Sequence, residues 1–243
     1  MVTGASRGIG RATAIALARA GADVVVAART AQEGQSRLPG TIEETAQQVR
    51  ALGRRALAVP TDLTREEQVE ELARRTLEAF GRVDVLVNNA AINYMAPFAE
   101  TPMRRWDLVL NVNLRGTVLC TKLFLPQMLQ QGRGSIINVS SYLAVMPMPR
   151  TLAYSVSKMA IEKFSQGLAQ ELLGTGVCIN CLRIETNVAS EGWTSLNPGA
   201  DFSDWERPET AAECILWLAA QPPTLTGLVL SMADVRRLRS QMS

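Results

Sequence analysis

The chain opens on Met1-Val2-Thr3-Gly4-Ala5-Ser6-Arg7-Gly8-Ile9-Gly10, a short apolar strand running into three glycines spaced Gly-x-x-x-Gly-x-Gly. Arg11 to Ala20 follows, an alanine-rich helix former with an apolar stripe. A glycine-rich strand-to-helix turn presents main-chain N–H groups and the positive end of a helix dipole to a phosphate. An ordinary glycine-rich turn has the same composition. The position of this one, at the head of an alternating series of strands and helices, favours the phosphate reading.

That series runs to the end of the chain. Strands are expected at Val24 to Ala28, Ala56 to Val59, Val83 to Val87, Ser135 to Val139, Val177 to Leu182 and Leu228 to Leu230. Helices are expected at Thr41 to Leu52, Arg65 to Phe80, Met103 to Leu129, Ala153 to Leu173 and Glu209 to Ala220. Alternation of this kind implies an α/β fold, a doubly wound parallel sheet with helices on both faces. No linker or repeat divides residues 1–243, so a single domain is expected. Residues 185–207 break the pattern with Gly192, Pro198 and Gly199 beside Trp193 and Trp205, which reads as a substrate lid.

Composition narrows the chemistry. Lys and Arg number 25 against 23 Asp and Glu, and no basic stripe is present, which argues against a nucleic-acid partner. No apolar run reaches about 18 residues, so no membrane partner is expected, and the Met1 region lacks the pattern of a signal peptide. Cys120, Cys178, Cys181 and Cys214 lie mostly in apolar surroundings and read as reduced, buried thiols of a cytoplasmic protein rather than metal ligands. The chain has no histidine. Ser-His-Asp hydrolysis, His-ligated metals and His acid–base catalysis are therefore excluded, and proton transfer falls to Tyr, Lys, Cys or a carboxylate.

Tyr154 and Lys158 supply such a pair. Four residues apart on a helix, they share a face, where the ammonium favours the phenolate and draws the Tyr pKa down toward the working pH. A phenol so placed gives a proton to a carbonyl oxygen, or takes one from an alcohol, while a cofactor moves the hydride. A solvated surface pair has the same spacing.

Thr3 to Gly10, Asp62, Asn88-Asn89-Ala90-Ala91, Asn113, Ser141 and Tyr154-Ser155-Val156-Ser157-Lys158 stand in an order and at spacings that resemble the short-chain dehydrogenase/reductase superfamily. Ala27-Ala28-Arg29-Thr30-Ala31-Gln32, Pro39-Gly40-Thr41-Ile42 and Asn111 to Thr117 resemble its hydroxysteroid dehydrogenase-like subgroup. The resemblance implies a Rossmann-type fold and a catalytic set. Tyr154 is its acid or base, Lys158 lowers the Tyr pKa and holds the nicotinamide ribose, Ser141 donates to the substrate oxygen, and Asn113 anchors a water leading to solvent. It also implies cofactor contacts from Gly4, Ala5, Ser6, Arg7, Gly8, Ile9 and Gly10, from Asp62 and Leu63 at the adenine, and from Asn89, Ala90 and Ala91 at the ribose.

A dinucleotide fold that selects NAD places an acid at the end of its second strand. This chain has Ala28 followed by Arg29, and Arg7 adds a second guanidinium for a 2′-phosphate, so NADP is favoured over NAD. The expected function is an NADP-dependent oxidoreductase interconverting a carbonyl and a secondary alcohol. An NAD-dependent dehydrogenase and a non-catalytic cofactor-binding scaffold are the alternatives. Tyr94, Met95, Met146, Met148, Trp193 and Trp205 would suit a hydrophobic substrate.

Three departures stand out against the resemblance. Ile184-Glu185 replaces a common Pro-Gly after the sixth strand, and Ser231-Met232-Ala233-Asp234 replaces a Val-Asp-Gly-Gly. The first strand is short, with an unpaired edge expected. The Met103 to Leu129 and Ala153 to Leu173 helices carry more apolar residues than one sheet face needs. In the family that pair packs against its copy, so a homodimer or homotetramer is expected.

Overall fold

The computed structural model describes residues 1–146 and 148–242. Seven parallel strands form one sheet in the order β3-β2-β1-β4-β5-β6-β7. The strands are β1 (Val2–Thr3), β2 (Val24–Ala28), β3 (Ala56–Pro60), β4 (Val85–Asn88), β5 (Gly134–Ser141), β6 (Val177–Ile184) and β7 (Val229–Ser231). The helices are α1 (Gly8–Arg19), α2 (Ile42–Ala51), α3 (Glu66–Phe80), α4 (Met103–Leu110), α5 (Gly116–Gln130), α6 (Leu152–Glu171), α7 (Glu191–Thr194), α8 (Pro208–Ala219) and α9 (Met232–Met242). Chain direction across the sheet reverses between β1 and β4, and a doubly wound sheet opens its binding crevice at that point.

Strand residues alternate between two apolar layers. Val24, Val26, Ile137, Val139, Leu182 and Ile184 pack on the side covered by α1, α2, α8 and α9. Val25, Ala27, Ile136, Val177 and Ile179 pack on the side of α3, α5 and α6. With both faces buried, the strands must be apolar throughout, which is how they read in the sequence. α2 opens on a capping box, Thr41 Oγ1 accepting from Glu44 N at 3.1 Å and Glu44 Oε2 from Thr41 N at 3.0 Å.

Two sequence expectations change here. β1, though only two residues long, pairs with β2 on one side and β4 on the other, so its edges are not unpaired. The expected Met103 to Leu129 helix is α4, a π-turn at Asn111–Arg115, and α5 in continuous succession. An 18-residue stretch of that 28-residue run averages 1.3 in mean hydropathy, long and apolar enough to cross a membrane by length and composition alone. Here Cys120, Phe124 and Met128 are buried in the core against the sheet, the setting of a central helix in a globular domain.

Candidate active site

The strand ends around the reversal point frame a cavity of about 540 Å³. Gly4, Ser6, Arg7, Gly8 and Ile9 line one end, with Ala28, Arg29, Asp62 and Leu63 beyond them. Asn89, Ala90 and Ala91 line its middle, and Ser141, Tyr154 and Lys158 its other end. Of the site residues read from sequence, Ala5, Gly10 and Asn113 do not face the cavity directly. Ala5 is buried, and Gly10 and Asn113 shape the turns on either side.

The glycine turn is built for close approach. Gly4 has φ +66°, and a Cβ there would meet Ala90 Cα at 2.8 Å. A Cβ on Gly10 would meet the Gly4 carbonyl at 2.3 Å. Thr3 and Asn89 tie this turn to the end of β4. Thr3 Oγ1 accepts from Asn89 N at 3.1 Å and Ala90 N at 3.2 Å, and Asn89 Nδ2 donates to Thr3 O at 2.9 Å. No side chain caps α1, whose N-cap is Arg7. The Glu191 carboxylate from α7 instead accepts from Gly8 N at 2.6 Å and pairs with Arg11. An oxyanion is thus seated on the turn, so the residues present fit the pyrophosphate of a dinucleotide.

The two arginines proposed for a 2′-phosphate do different things. Arg7 donates from Nε to Pro39 O at 2.8 Å and from Nη2 to Leu38 O and Gly40 O at 3.2 and 2.9 Å. It therefore pins the 38–40 loop against the glycine turn, and the two-armed clasp reduces to Arg29. Arg29 is exposed, lines the cavity, and has no hydrogen bond or ion pair among the described residues. Asp62 lies beside it. Burial pushes the Asp62 carboxyl up, but the Thr64 N–H and hydroxyl and the charges of Arg29 and Arg65 together hold it below the usual carboxylate range. Oδ1 accepts from Thr64 N at 3.0 Å and Thr64 Oγ1 at 2.8 Å, a local turn. α3 begins at Glu66 without a side-chain cap from either residue. Leu63 packs on Gly116, where a Cβ would come within 2.8 Å of the Leu63 Cβ.

At the opposite end, α6 carries Tyr154 and Lys158 toward the end of β5. Lys158 is 2% exposed, and its Nζ donates to Val139 O at 2.7 Å while standing 5.4 Å from the Tyr154 ring centroid. Burial pulls its ammonium down to about 8, against the raising influence of Cys181 and Glu162. Tyr154 corrects the sequence reading. Burial pushes its phenol up to about 12, the Ser141 hydroxyl pulls it back, and Tyr142 raises it, so the phenol is protonated at neutral pH. The ammonium is directed at the β5 carbonyl, so burial rather than the Lys charge sets the phenol.

Asn113 sits in the π-turn and is fully buried. Its Oδ1 accepts from Ile92 N at 2.8 Å, and its Nδ2 donates to Ile92 O at 3.0 Å and Ser157 Oγ at 2.9 Å. Both amide protons are committed, so the side chain locks the loop after β4 onto α6, and a water held at this turn would have to use main-chain carbonyls.

Sequence reasoning missed a buried brace beneath Lys158. Glu162 accepts from Arg183 Nε and Nη2 at 2.9 and 2.7 Å and from Ser140 Oγ at 2.8 Å. It joins α6, β5 and β6 directly behind the Ser141 end of the strand. Glu162 follows Lys158 by four residues, so helical spacing alone was enough to place it near. Of the proposed substrate residues, Trp193 and Trp205 line the cavity. Tyr94, Met95, Met146 and Met148 do not, and the three methionines are exposed.

A glycine cradle for an oxyanion at the reversal point of a parallel sheet, joined by one cavity to a Ser-Tyr-Lys cluster, defines a nicotinamide-dependent oxidoreductase site. A family model described as short chain dehydrogenase matches residues 1–195. The short chain dehydrogenase/reductase astE of Aspergillus oryzae is 38% identical over 247 residues, covering 96% of this chain and 92% of that one. Hydroxysteroid dehydrogenase-like protein 2 of Danio rerio is 34% identical over 236 residues, covering 96% of this chain and 56% of that protein. The chain thus spans about half the length of that relative. A structure of a putative NAD(P) dependent gluconate 5-dehydrogenase from Beutenbergia cavernae, with bound NADP at low occupancy, superposes with a TM-score of 0.82 at 33% identity, covering 98% of this chain and 95% of that one. The chain belongs to the short-chain dehydrogenase family of NAD(P)-dependent oxidoreductases and is similar to its hydroxysteroid dehydrogenase-like members.

Proposed function

We propose that the chain is an NADP-dependent oxidoreductase that interconverts a carbonyl and a secondary alcohol. The observation that carries this reading is the single cavity holding the glycine turn at one end and Ser141, Tyr154 and Lys158 at the other. A bound nicotinamide supplies or accepts the hydride. Tyr154, protonated at neutral pH, gives its proton to the substrate oxygen in reduction and recovers it from the alcohol in oxidation. Ser141 donates a hydrogen bond to the same oxygen and so holds it at the phenol. Lys158 orients the ribose and carries positive charge beneath the phenol, and Asn113 fixes the loop that faces them.

Arg29, with no acidic residue at the end of β2, supports NADP over NAD. Leu143, Val112, Val188, Trp193 and Trp205 give the substrate end apolar walls, which suits a hydrophobic ketone or alcohol. Residues 185–207 serve as its lid. Four free thiols, all buried, fit a reducing, cytoplasmic setting. The test is a panel of carbonyls and alcohols with each nicotinamide cofactor, followed at the nicotinamide absorbance, for the unmodified protein and Tyr154→Phe. Turnover by the unmodified protein, lost by at least ~10²-fold in the variant with cofactor affinity retained, is expected. Retained turnover in the variant removes Tyr154 from the mechanism.

A further inference from the structure

The Glu191 carboxylate, carried by α7, occupies the oxyanion position of the glycine turn. Oε2 accepts from Gly8 N at 2.6 Å and Oε1 pairs with Arg11, both partners belonging to the first turn of α1. The side chain keeps only 22% of its exposure, and the neighbouring Ser190 is so close that a Cβ on Gly8 would meet its Cβ at 3.1 Å. On the other side of Glu191, Gly192 and Trp193 line the cavity.

We propose that Glu191 sets cofactor affinity by competing with the dinucleotide pyrophosphate for the α1 N-terminus, so that binding requires α7 to release the turn. This rests on the dinucleotide-binding reading given above. The N–H groups and dipole at a helix start hold one anion well, and a carboxylate and a phosphate of like charge do not share them. The cofactor therefore binds only the fraction of molecules in which Glu191 has withdrawn, and its apparent affinity is lowered by that fraction.

The segment is built to move as a unit. Its base is fastened where Val188 pairs with Glu206, with Ala189 N donating to Glu206 O and Glu206 N to Asn187 O, both at 2.9 Å. Between these anchors, Trp193 and Phe202 meet Trp205 edge-on at centroid distances of 6.0 and 4.9 Å and hold the tip together. Among the described residues, the hydrogen bond and the ion pair from the tip to the glycine turn are both made by Glu191, and Ser190 approaches Gly8 beside it. Neutralising Glu191 thus removes the charge that holds the tip down and leaves its own packing intact.

Glu191→Gln separates the outcomes. Calorimetric titrations of the unmodified protein and the variant would use NADPH, ADP-ribose, which carries the pyrophosphate without nicotinamide, and adenosine 2′-monophosphate, which has no pyrophosphate. About tenfold tighter binding of NADPH and ADP-ribose by the variant is expected, the scale of one lost charge contact at a helix start, with adenosine 2′-monophosphate unchanged. Tryptophan emission, to which Trp193 contributes from two positions away, should change when the unmodified protein binds ADP-ribose. In the variant it should already lie toward the bound value before addition. Equal or weaker binding of ADP-ribose by Glu191→Gln, with NADPH still bound by both proteins, overturns the proposal. Failure of both proteins to bind NADPH overturns the dinucleotide reading beneath it.

Discussion

Lys158 should be a residue whose removal stabilises the protein while ending its chemistry. Its ammonium is 2% exposed, and burial takes it from the ordinary 10.5 to about 8. At about 1.4 kcal/mol per pH unit, keeping that proton at pH 7 costs the fold about 3 kcal/mol. Lys158→Met keeps the aliphatic stem and removes the charge. The substitution also removes the donor to Val139 O, a loss of about 1–2 kcal/mol. The balance at pH 7 is a gain of about 1–2 kcal/mol, or roughly 2–8 °C in Tm for a domain of this size. The sign with pH follows from proton counting. Below about 8 the lysine is protonated in both states of the unmodified protein. Between about 8 and 10.5 the unfolded chain binds the proton and the folded one does not, so the unmodified protein gains stability as pH rises. Tyr154, pushed up to about 12, stays protonated in the folded state, and its ionisation in the unfolded chain is common to both proteins and cancels in their difference. Denaturant melts of both proteins at pH 7 and pH 9.5 should show the advantage of the variant shrinking by about 2 kcal/mol, to near zero or below. A Met variant less stable than its parent at pH 7, or a difference independent of pH, would refute the assignment of Lys158 as a charge held against its solvation.

Arg29→Ala should cut NADPH affinity by about tenfold or more and leave NADH binding nearly unchanged, since one charge-assisted contact to the 2′-phosphate is lost. Equal loss for both cofactors, read by titration, would mean that Arg29 acts elsewhere. The protein should run as a dimer or tetramer in light scattering at micromolar concentration. Leu152, Val156 and Met159 lie exposed along one side of α6 and Met103 lies exposed on α4, an apolar surface that assembly would cover. A monomer mass at that concentration would discard the expectation.

What the sequence made legible is what local pattern determines. β2 stands where its run of valines and alanines placed it, and β3 to β6 fall within about two residues of their expected ends, because strands buried on both faces must be continuously apolar. Tyr154 and Lys158 followed from helical spacing, and the glycine turn from its three glycines. The pieces that stayed hidden depend on partners distant in the chain. Glu191 lies in an irregular segment, and nothing in its neighbourhood announces a contact with Gly8. The Glu162–Arg183 pair becomes visible only through the β5–β6 register, which sets Ser140 opposite Arg183. The Tyr154 pKa was read in the wrong direction for a related reason. Spacing placed a positive charge nearby but carried no information on burial, and burial decided the sign.

The two departures from the family pattern near the C-terminus prove to be one structural adjustment. Proline after the sixth strand would remove a ladder donor. With Ile184 there, β6 runs on to pair Ile184 with Ser141, so the strand end that carries this serine has a backed neighbour. Glu185, the next residue, turns to the start of α9, where its carboxylate accepts from Met232 N at 2.8 Å and Ala233 N at 2.7 Å. Ser231 and Asp234 close the same helix start, Asp234 Oδ2 accepting from Ser231 N at 3.0 Å and Ser231 Oγ accepting from Asp234 N at 3.0 Å. Caps of this kind are worth about 1 kcal/mol each, and a helix of eleven residues with a largely polar sequence depends on them. A glycine at position 185 would leave α9 without the carboxylate, and a Val-Asp-Gly-Gly run at 231–234 would put two residues of poor helix propensity into its first turn. Each change is therefore explained by the other, and together they alter the edge of the site without displacing Ser141, Tyr154 or Lys158 from their common cavity.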